Sequence, residues 1–522
     1  MSAIQQHRRL VANLVRWLSM QPASGRVELI ETHISSVILA GEFAYKIKKP
    51  LDLGFLDFST LERRRFCCEE ELRLNRRLTE NLYLQVVKIT GTWDRPALET
   101  NGEVIEYAVK MRRFQGGILL SEQPDLLSDA LADRLAQQLA GFHAAIGPAA
   151  TLPPHGMPDQ VLQPMQQNFD QIRSLSAEYD APLAQLQAAT LAAYRSLERR
   201  LAERRAEGYI RECHGDLHLG NIVLEGDRLI LFDGIEFNPE LRWIDTMSEL
   251  AFLLMDIEEK GMFPISRRLL NRYLEISGDY RGLDVLRFYQ LYRAMVRAKV
   301  VAIRLHQAEV NGAERKRLEA EFVTYLDNAG RYTRTALPGL LITHGLSGSG
   351  KSSVSGELLQ SLPAVRIRSD IERKRLAGLD ADSGSASPPM GGIYTPDFSN
   401  TTYAHLLSLT RSVLRAGYTV IIDATFLKRG QRQEFQALSS RQGAPFLILD
   451  FQVPEWELRK RLEARERLGT DPSEANAAVL NEQLKSAEKL TAEERRCAVV
   501  VTTKSGEKRD LAEQVLHRLG NQ

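Results

Sequence analysis

The sequence predicts two folding units, a two-lobed α+β unit over residues 1–332 and an α/β unit with a parallel sheet over residues 338–522. Its 522 residues exceed the roughly 150 residues of a typical domain several-fold. Strand patterns are concentrated in about the first hundred residues, and helical periodicity then dominates to about residue 334. Beyond residue 338, short apolar runs alternate with helical segments in the βαβ manner, which is typical of a parallel sheet.

The N-terminal lobe is predicted to be a small, mostly antiparallel sheet with two helices. Apolar residues recur at helical spacing between positions 10 and 18 and predict the first helix. The run VILAGEFAYKI (37–47) predicts a hairpin, and YLQVVKIT (83–90) and EVIEYAVKM (103–111) predict further strands. Ser59 begins a capping-box pattern, which predicts the start of a long charged helix that ends near residue 78.

The second lobe is predicted to be helical, with one hairpin set into it. Leu131, Leu135, Leu139 and Phe142 share one helix face. Between residues 222 and 232, two apolar runs flank Gly-Asp, which predicts a tight turn. The α/β unit that follows is predicted to contain five buried strands, with the sequences LLITH, AVRIR, YTVII, PFLIL and AVVVT.

Residues 345–352, GLSGSGKS, match the phosphate-loop pattern G-x-x-x-x-G-K-[ST]. Glycines let backbone N–H groups curl round a phosphate, and the following helix presents its positive N-terminus. Lys351 is expected to reach the β and γ oxygens, and Ser352 to bind Mg²⁺. A strand pattern before the motif and a helical pattern after it favour this interpretation over a chance match. The motif predicts ATP or GTP binding by Gly345, Ser347, Gly348, Ser349, Gly350, Lys351, Ser352 and Ser353.

Charged residues follow the ends of two later strands of the same unit. RIRSDIERKRL places Asp370 and Arg373 beyond one strand, at the edge where ligands bind in open α/β sheets. Asp370 could take the proton of an acceptor hydroxyl, although it or Ser369 could instead cap the next helix. YTVIIDATF carries Asp423 to the same edge, where it is placed for Mg²⁺ or acceptor contact.

Arginines recur on a helix near the end of the α/β unit. Arg461 and Arg465 are four residues apart and share a helix face. They could therefore close over the phosphates as a lid. A solvated charge run is the alternative interpretation.

A second candidate site lies in CHGDLHLGN, where residues 214–221 have the spacing H-G-D-x-x-x-x-N. Asp233 follows Asn221 by twelve residues, at the end of the predicted hairpin. Phosphoryl transfer needs one acid to orient the acceptor hydroxyl and two oxygen ligands for metal, and Asp216, Asn221 and Asp233 offer these groups. A loop aspartate with a capping asparagine is the structural alternative.

On these residues, and on the helix motif LAQQLAGFHAAI, residues 30–330 resemble the aminoglycoside phosphotransferase family, whose fold is that of the protein kinases. The resemblance implies that Asp216 is the catalytic base and that Asn221 and Asp233 bind Mg²⁺. It also implies a β-lobe lysine, Lys46, paired with Glu71 of the charged helix. Lys48 is an alternative choice, and a surface charge on a strand is the alternative for either lysine. No G-x-G-x-x-G precedes Lys46, so the nucleotide flap is expected to be short.

Residues 338–522 resemble the small-molecule and polynucleotide kinase branch of the P-loop kinases. The resemblance is carried by GLSGSGKS, by the D-x-x-R of residues 370–373, by DAT at residues 423–425 and by L-x-x-R-x-x-x-R at residues 458–465. It implies that Asp370 is the general base, that Arg373 contacts acceptor or phosphate, and that Arg465 is a lid residue.

The whole chain thus resembles a bifunctional protein in which an aminoglycoside phosphotransferase-like domain is fused to a P-loop kinase domain. We predict two sites, each transferring the γ-phosphoryl group of ATP, with Mg²⁺, to a hydroxyl of a small molecule. One alternative is a regulatory protein that senses ATP without phosphorylating a metabolite. Another is a C-terminal kinase for 5′-hydroxyl ends of nucleic acids, which depends on Asp370 and Arg373 alone.

Composition limits the partners. Sixty-eight Lys and Arg residues against 67 Asp and Glu residues leave a net charge of +1, so bulk charge gives no reason to expect nucleic-acid or membrane binding. Four cysteines show no metal-ligand spacing, and no apolar run reaches the roughly 18 residues of a membrane span. These patterns favour a cytoplasmic protein with small-molecule acceptors.

Overall fold

The structure is a computed structural model of the chain. In the parts of the chain that it describes, no helix is both long and apolar enough to cross a membrane. The described residues are 2–54, 56–79, 81–148, 154–307, 310–334, 337–380, 383, 391–468, 476–501 and 508–520. Their side chains are described as well, except at 177, 465–468 and 508–510.

The N-terminal lobe is a six-stranded antiparallel sheet, in the order β1-β2-β3-β6-β4-β5, with two helices packed on it. The lobe consists of α1 (Ala3–Ser19), β1 (Glu28–Glu31), β2 (Ser35–Ala40), β3 (Phe43–Lys48), α2 (Leu61–Asn75), β4 (Tyr83–Thr92), β5 (Arg95–Leu98) and β6 (Val104–Arg112).

The predicted first helix packs its apolar face on this sheet. Leu10 and Leu14 of α1 are fully buried against Ile38 and Ile47. Three residues connect β1 to β2, and two connect β2 to β3, so both turns are short. The glycine of the β2–β3 turn, Gly41, has a φ of +59° and packs on the segment after α1, since a Cβ there would lie 2.4 Å from a backbone oxygen.

The second lobe is helical and contains two small antiparallel ribbons, one of them the predicted hairpin. Its elements are β7 (Ile118–Leu119), α3 (Asp129–Ile146), α4 (Pro158–Leu175), α5 (Asp180–Ala206), β8 (Ile210–Glu212), β9 (Ile222–Glu225), β10 (Arg228–Leu231), α6 (Pro239–Arg242), β11 (Trp243–Asp245), α7 (Thr246–Glu259), α8 (Phe263–Ser277), α9 (Leu283–Leu305) and α10 (Gly312–Tyr332).

The C-terminal unit is built on a five-stranded parallel sheet in the order β13-β14-β12-β15-β16, which confirms the predicted α/β class. Its elements are β12 (Leu340–His344), α11 (Lys351–Ser361), β13 (Ala364–Arg368), α12 (Ser369–Leu376), α13 (Pro396–Arg415), β14 (Thr419–Asp423), α14 (Arg429–Gln442), β15 (Phe446–Phe451), α15 (Glu455–Leu468), α16 (Ala477–Ser486), α17 (Ala492–Arg496), β16 (Ala498–Val501) and α18 (Lys508–Gly520).

The two units are joined by a buried interface at the edge of the parallel sheet. Asn271 of α8, 3% exposed, donates to the carbonyl of Ala364 at 3.1 Å and accepts from the N–H of Arg366 at 2.7 Å. One side chain thereby satisfies two backbone groups of the edge strand β13, which would otherwise be buried without partners. Apolar side chains of both units also form one continuous buried cluster, so the interface extends both cores.

Candidate active sites

Two lysines of β3 contact three carboxylates, one from α2 and two from the segment after β10. The Nζ of Lys46 lies 2.8 Å from Oε1 of Glu71 on α2 and also contacts the carboxylate of Asp233. The Nζ of Lys48 lies 2.7 Å from Oε2 of the same Glu71 and contacts Glu236. The structure therefore places Lys46, Glu71 and Asp233 together. It also shows that Lys48 is a buried partner of Glu71 rather than a surface charge.

Electrostatics keeps the ion pair of Lys46 and Glu71 charged. Burial opposes a charge on Lys46, but the carboxylates of Asp233 and Glu71 outweigh it and raise the pKa of Lys46 well above its ordinary value. Burial also opposes a charge on Glu71, but the ammonium groups of Lys46 and Lys48 lower its pKa. Both partners of the ion pair are therefore charged at neutral pH.

The loop of residues 214–221 places Asp216 and Asn221 side by side. The amide Nδ2 of Asn221 donates to the backbone carbonyl of Asp216 at 2.8 Å and to its Oδ2 at 3.3 Å. His218 lies 3.5 Å from the same carboxylate oxygen. Asp216 is 39% exposed, so its carboxylate is accessible to a substrate.

The charge state of Asp216 suits a catalytic base. Burial opposes ionisation of its carboxyl, but the neighbouring His218 and His214, together with Arg297, outweigh this and hold its pKa well below its usual range. The carboxylate is therefore ionised throughout the neutral range and can accept a hydrogen bond from a hydroxyl.

A buried glutamate of α7 fixes the backbone of this loop. Glu249, 1% exposed, accepts from the N–H of His214 at 3.1 Å and from the N–H of Gly215 at 2.7 Å. His143, also buried, lies 3.2 Å from the same carboxylate and 2.8 Å from the hydroxyl of Tyr273. Sequence reasoning missed Glu249, because its position in α7 carries no local sign of a contact with a loop 35 residues earlier.

Asp233 follows the hairpin in a backbone conformation that is unusual for a residue with a side chain. Its φ is +65°, in the left-handed region, and costs of order 1–3 kcal/mol unless the surroundings hold it. Two hydrogen bonds do so: its own N–H donates to the hydroxyl of Tyr83 at 3.0 Å, and that of Gly234 donates to Oδ1 of Asn75 at 2.8 Å. Sequence reasoning did not assign Tyr83 or Asn75 to the site.

These residues fit a magnesium ion. Mg²⁺ prefers oxygen ligands, and Asp233 offers a carboxylate that is 40% exposed. The Nδ2 atom of Asn221 is engaged by Asp216, so the amide oxygen is the atom that Asn221 would offer. The cluster also contains three carboxylates against two ammonium groups, a balance that a divalent cation would offset.

We expect Lys46 and Lys48 to respond differently to substitution. Lys48→Met should lower the free energy of unfolding by about 3–5 kcal/mol, because it leaves the carboxylate of Glu236, 4% exposed, without the ammonium that contacts it. Lys46→Met should destabilise less, since Glu71 keeps Lys48 and Asp233 reaches solvent. Unfolding followed by circular dichroism measures both, and equal losses would contradict this difference.

The glycines of the phosphate loop have the conformations and the space that the motif requires. Gly345, Gly348 and Gly350 all have positive φ, and a Cβ on Gly345 would lie 2.9 Å from Phe451 and from Oγ of Ser349. Lys351, the first residue of α11, donates to the carbonyl of Gly345 at 3.0 Å. The loop thus has the strand-to-helix setting, the lysine and the close approach that a bound triphosphate needs.

Two side chains from the later helices contact this loop. Gln483 of α16 accepts from the N–H of Ser347 at 2.8 Å, and its own amide donates to the Ser347 hydroxyl at 3.0 Å. Arg461 of α15 lies 3.5 Å from the carbonyl of Gly348. The predicted lid helix is therefore next to the phosphate loop. The side chain of Arg465, the predicted lid arginine, lies outside the described residues.

The two aspartates at the strand ends converge on Arg368, the last residue of β13. Asp370 accepts from Nη2 of Arg368 at 2.8 Å, and Oδ2 of Asp423 lies 4.0 Å from Nε of the same arginine. Burial opposes ionisation of Asp370, but Arg368 outweighs it and lowers the pKa of that carboxyl. α12 has Arg368 at its N-cap without a side-chain capping bond, while Oδ1 of Asp370 accepts from the N–H of Ile371 at 3.0 Å in the first turn.

Ser352 and Ser353 begin α11, and Arg373 has a different neighbourhood. Ser353 is exposed, while the carbonyl of Ser352 accepts from Nη1 of Arg366 at 3.0 Å. Arg373 donates to the carbonyl of Ile393 at 2.6 Å and lies 3.2 Å from the Ser399 hydroxyl. Its described contacts therefore tie α12 to the start of α13.

The architecture and the two candidate sites define a chain with a kinase-like domain followed by a P-loop domain. Comparison with known families agrees: residues 67–289 match the model described as the phosphotransferase enzyme family, and residues 340–490 match an AAA domain model. The resemblance predicted from the sequence is confirmed at this level. An uncharacterized protein of Mycobacterium tuberculosis is 29% identical over 404 residues, covering 77% of this chain and 78% of its own.

Solved structures are similar to parts of the chain. A choline/ethanolamine kinase family protein from Mesorhizobium loti is 13% identical, covers 62% of this chain and 99% of its own, and has a TM-score of 0.36. A sugar kinase from Janibacter sp. is 20% identical, covers 35% of this chain and 95% of its own, and has a TM-score of 0.27.

Proposed function

We propose that the chain is an ATP-dependent phosphotransferase with two sites, each of which transfers a γ-phosphoryl group to a hydroxyl of a small molecule. The observation that carries the proposal is the complete set of polar groups at each site. In the first unit, Lys46 contacts Glu71 and Asp233, and Asn221 contacts Asp216. In the second, the loop glycines Gly345 and Gly348 have positive φ, and Arg368 contacts Asp370 and lies 4.0 Å from Asp423.

In the first unit, Asp216 would orient the acceptor hydroxyl and take its proton as the oxygen attacks phosphorus. Lys46, held by Glu71, would contact the nucleotide phosphates. Asn221 and Asp233 would hold Mg²⁺, which when bound offsets the charge of the phosphate oxygens. Glu249 acts only through the backbone N–H groups of the loop, so it is a positioning residue.

In the second unit, backbone N–H groups of residues 345–352 and the ammonium of Lys351 would bind the triphosphate. Ser352 and Asp423 would hold Mg²⁺. Asp370, kept ionised by Arg368, would accept the hydroxyl proton. The charge of the whole chain, +1, supports a small acceptor over a polynucleotide.

The test is ADP release by the purified full chain with Mg²⁺ and ATP, against pooled sugars, polyols and amino alcohols, and separately against 5′-hydroxyl oligonucleotides. We expect stimulation by small-molecule pools, part of which is lost in Lys351→Ala and part in Asp216→Asn. Stimulation by no acceptor would favour the ATP sensor. Stimulation of Lys351-dependent turnover by oligonucleotides alone would favour the polynucleotide kinase.

A further inference from the structure

A polar cavity of about 580 Å³ lies between the two units, beside the phosphate loop. Its wall on one side is α3 and α8 of the first unit, and on the other it is α11 and β13 of the second. Neither unit forms this cavity alone. The volume suits a small molecule, since ligand pockets generally measure about 300–1,000 Å³.

The cavity reaches the chemistry of the second site. Ser352, the residue that the motif assigns to Mg²⁺, lines it, and so does Arg368. Arg368 is 9% exposed and donates to Asp370, the proposed base, at 2.8 Å. A molecule in the cavity would therefore contact Ser352 of the phosphate-loop motif and Arg368, which in turn contacts Asp370.

The cavity lining is rich in guanidinium groups. Five arginines line it together with three carboxylates, those of Asp133, Glu275 and Glu357, and Arg134 and Arg268 also pair with Asp227 and Asp129 outside the lining. Arginine matches phosphate geometrically, because its planar fork donates two parallel N–H···O bonds. The five arginines are Arg134 of α3, Arg268 and Arg272 of α8, and Arg366 and Arg368 of β13.

Buried contacts hold the arginines from the two units near each other. Glu275, 3% exposed, lies 2.7 Å from Arg366 of the second unit and 3.6 Å from Arg272 of the first. Asn271 on the same helix bonds the backbone of β13 on both sides of Val365. The cavity is therefore organised without its occupant, which reduces the ordering cost of binding.

We propose that this cavity is the acceptor pocket of the P-loop site and that its substrate is a phosphate monoester of a small hydroxyl compound. The assignment rests on the proposed phosphotransferase function of that site. The arginines bind the phosphate already present on the acceptor. A free hydroxyl attacks the γ-phosphorus of ATP, the bond to the β–γ bridging oxygen breaks, the hydroxyl proton passes to Asp370, and ADP leaves.

The proposed substrate indicates which class of reaction must supply it to the P-loop site. A phosphate monoester is the product of a hydroxyl phosphorylation, which is the reaction proposed for the first unit. Because α3 and α8 belong to that unit, the domain that would make such an ester also builds the wall that would bind it.

The test measures binding to the full chain with the P-loop saturated by Mg²⁺ and ADP, so that esters do not compete for the phosphate loop. The probes are glycerol 3-phosphate, ribose 5-phosphate and glucose 6-phosphate, each paired with its unphosphorylated parent, in titrations followed by calorimetry. We expect at least one ester to bind tenfold or more tightly than its parent. Arg272→Gln should weaken that ester about tenfold or more, since one charge-assisted contact is lost.

Arg317→Gln is the matched control, because Arg317 is exposed on α10 and does not line the cavity. Arg317→Gln should leave ester binding unchanged. The affinity for ADP should be the same in the unsubstituted chain and in both variants. Equal binding of esters and parents, no binding of any ester, or equal effects of the two variants would overturn the pocket assignment. The proposed function fails separately, if Lys351→Ala leaves ATP turnover unchanged.

Discussion

Asp216→Asn should lower turnover at the first site by about 10²–10⁴-fold, the usual contribution of a general base, while turnover at the P-loop site is retained. The amide is close in size to the carboxylate but cannot take the acceptor proton. The loop should stay in place, because Nδ2 of Asn221 also bonds to the backbone carbonyl of residue 216 and Glu249 holds the two preceding N–H groups. Initial rates of ADP release with an acceptor specific to each site measure the two activities.

Asp370→Asn is the reciprocal control, since Asp370 is the proposed base of the second site. It should leave the first activity unchanged and lower the second. If Asp216→Asn reduced both activities equally, or reduced the first less than tenfold, Asp216 would not be the base of an independent first site. Values of kcat and KM for ATP and for each acceptor would show whether the loss lies in kcat.

The local patterns predicted most of the α/β unit closely. The runs LLITH and AVRIR coincide with β12 and β13, because strands buried on both faces are continuous apolar segments with sharp polar ends. β1, with the sequence ELIE, was missed because it is a short edge strand whose residues are mostly exposed. The start of α2 was one residue off: Thr60 is the cap, while the Ser59 hydroxyl donates to Asp57 instead.

The residues of the candidate sites also divide into those that local sequence patterns predict and those that they do not. Motif residues such as Asp216 and Lys351 could be predicted, because their spacing determines the local backbone that does the chemistry. Partners such as Glu236 and Gln483 could not, since Lys48 is 188 residues from the first and Ser347 is 136 residues from the second. Only the folded chain brings these side chains together, and each is a glutamate or glutamine of an ordinary helix or loop.

Arg204→Met should lower the stability of the first unit by about 3–5 kcal/mol or more, the cost of leaving buried carboxylates unpaired. Arg204 is fully buried on α5 and makes two hydrogen bonds to each of two carboxylates, at 2.7 and 2.8 Å to Asp245 and at 2.9 and 2.8 Å to Asp279. Urea unfolding followed by tryptophan fluorescence measures the loss. Arg200→Met, one turn earlier on the helix, should cost less, because its partners Glu203 and Glu207 are about one-third exposed.

Arg204→Met should also disturb the loop of residues 214–221. Its partner Asp245 caps α7 by accepting from the N–H of Met247 at 2.8 Å. That helix carries Glu249, which holds the backbone N–H groups of the loop. We therefore expect Arg204→Met to lower first-site kcat at temperatures where the chain is still folded. Adding Asp279→Asn should restore part of the stability, since a neutral amide costs less to bury than an unpaired carboxylate. If Arg204→Met were no less stable than Arg200→Met, the buried arginine would not be what holds α5 to the start of α7.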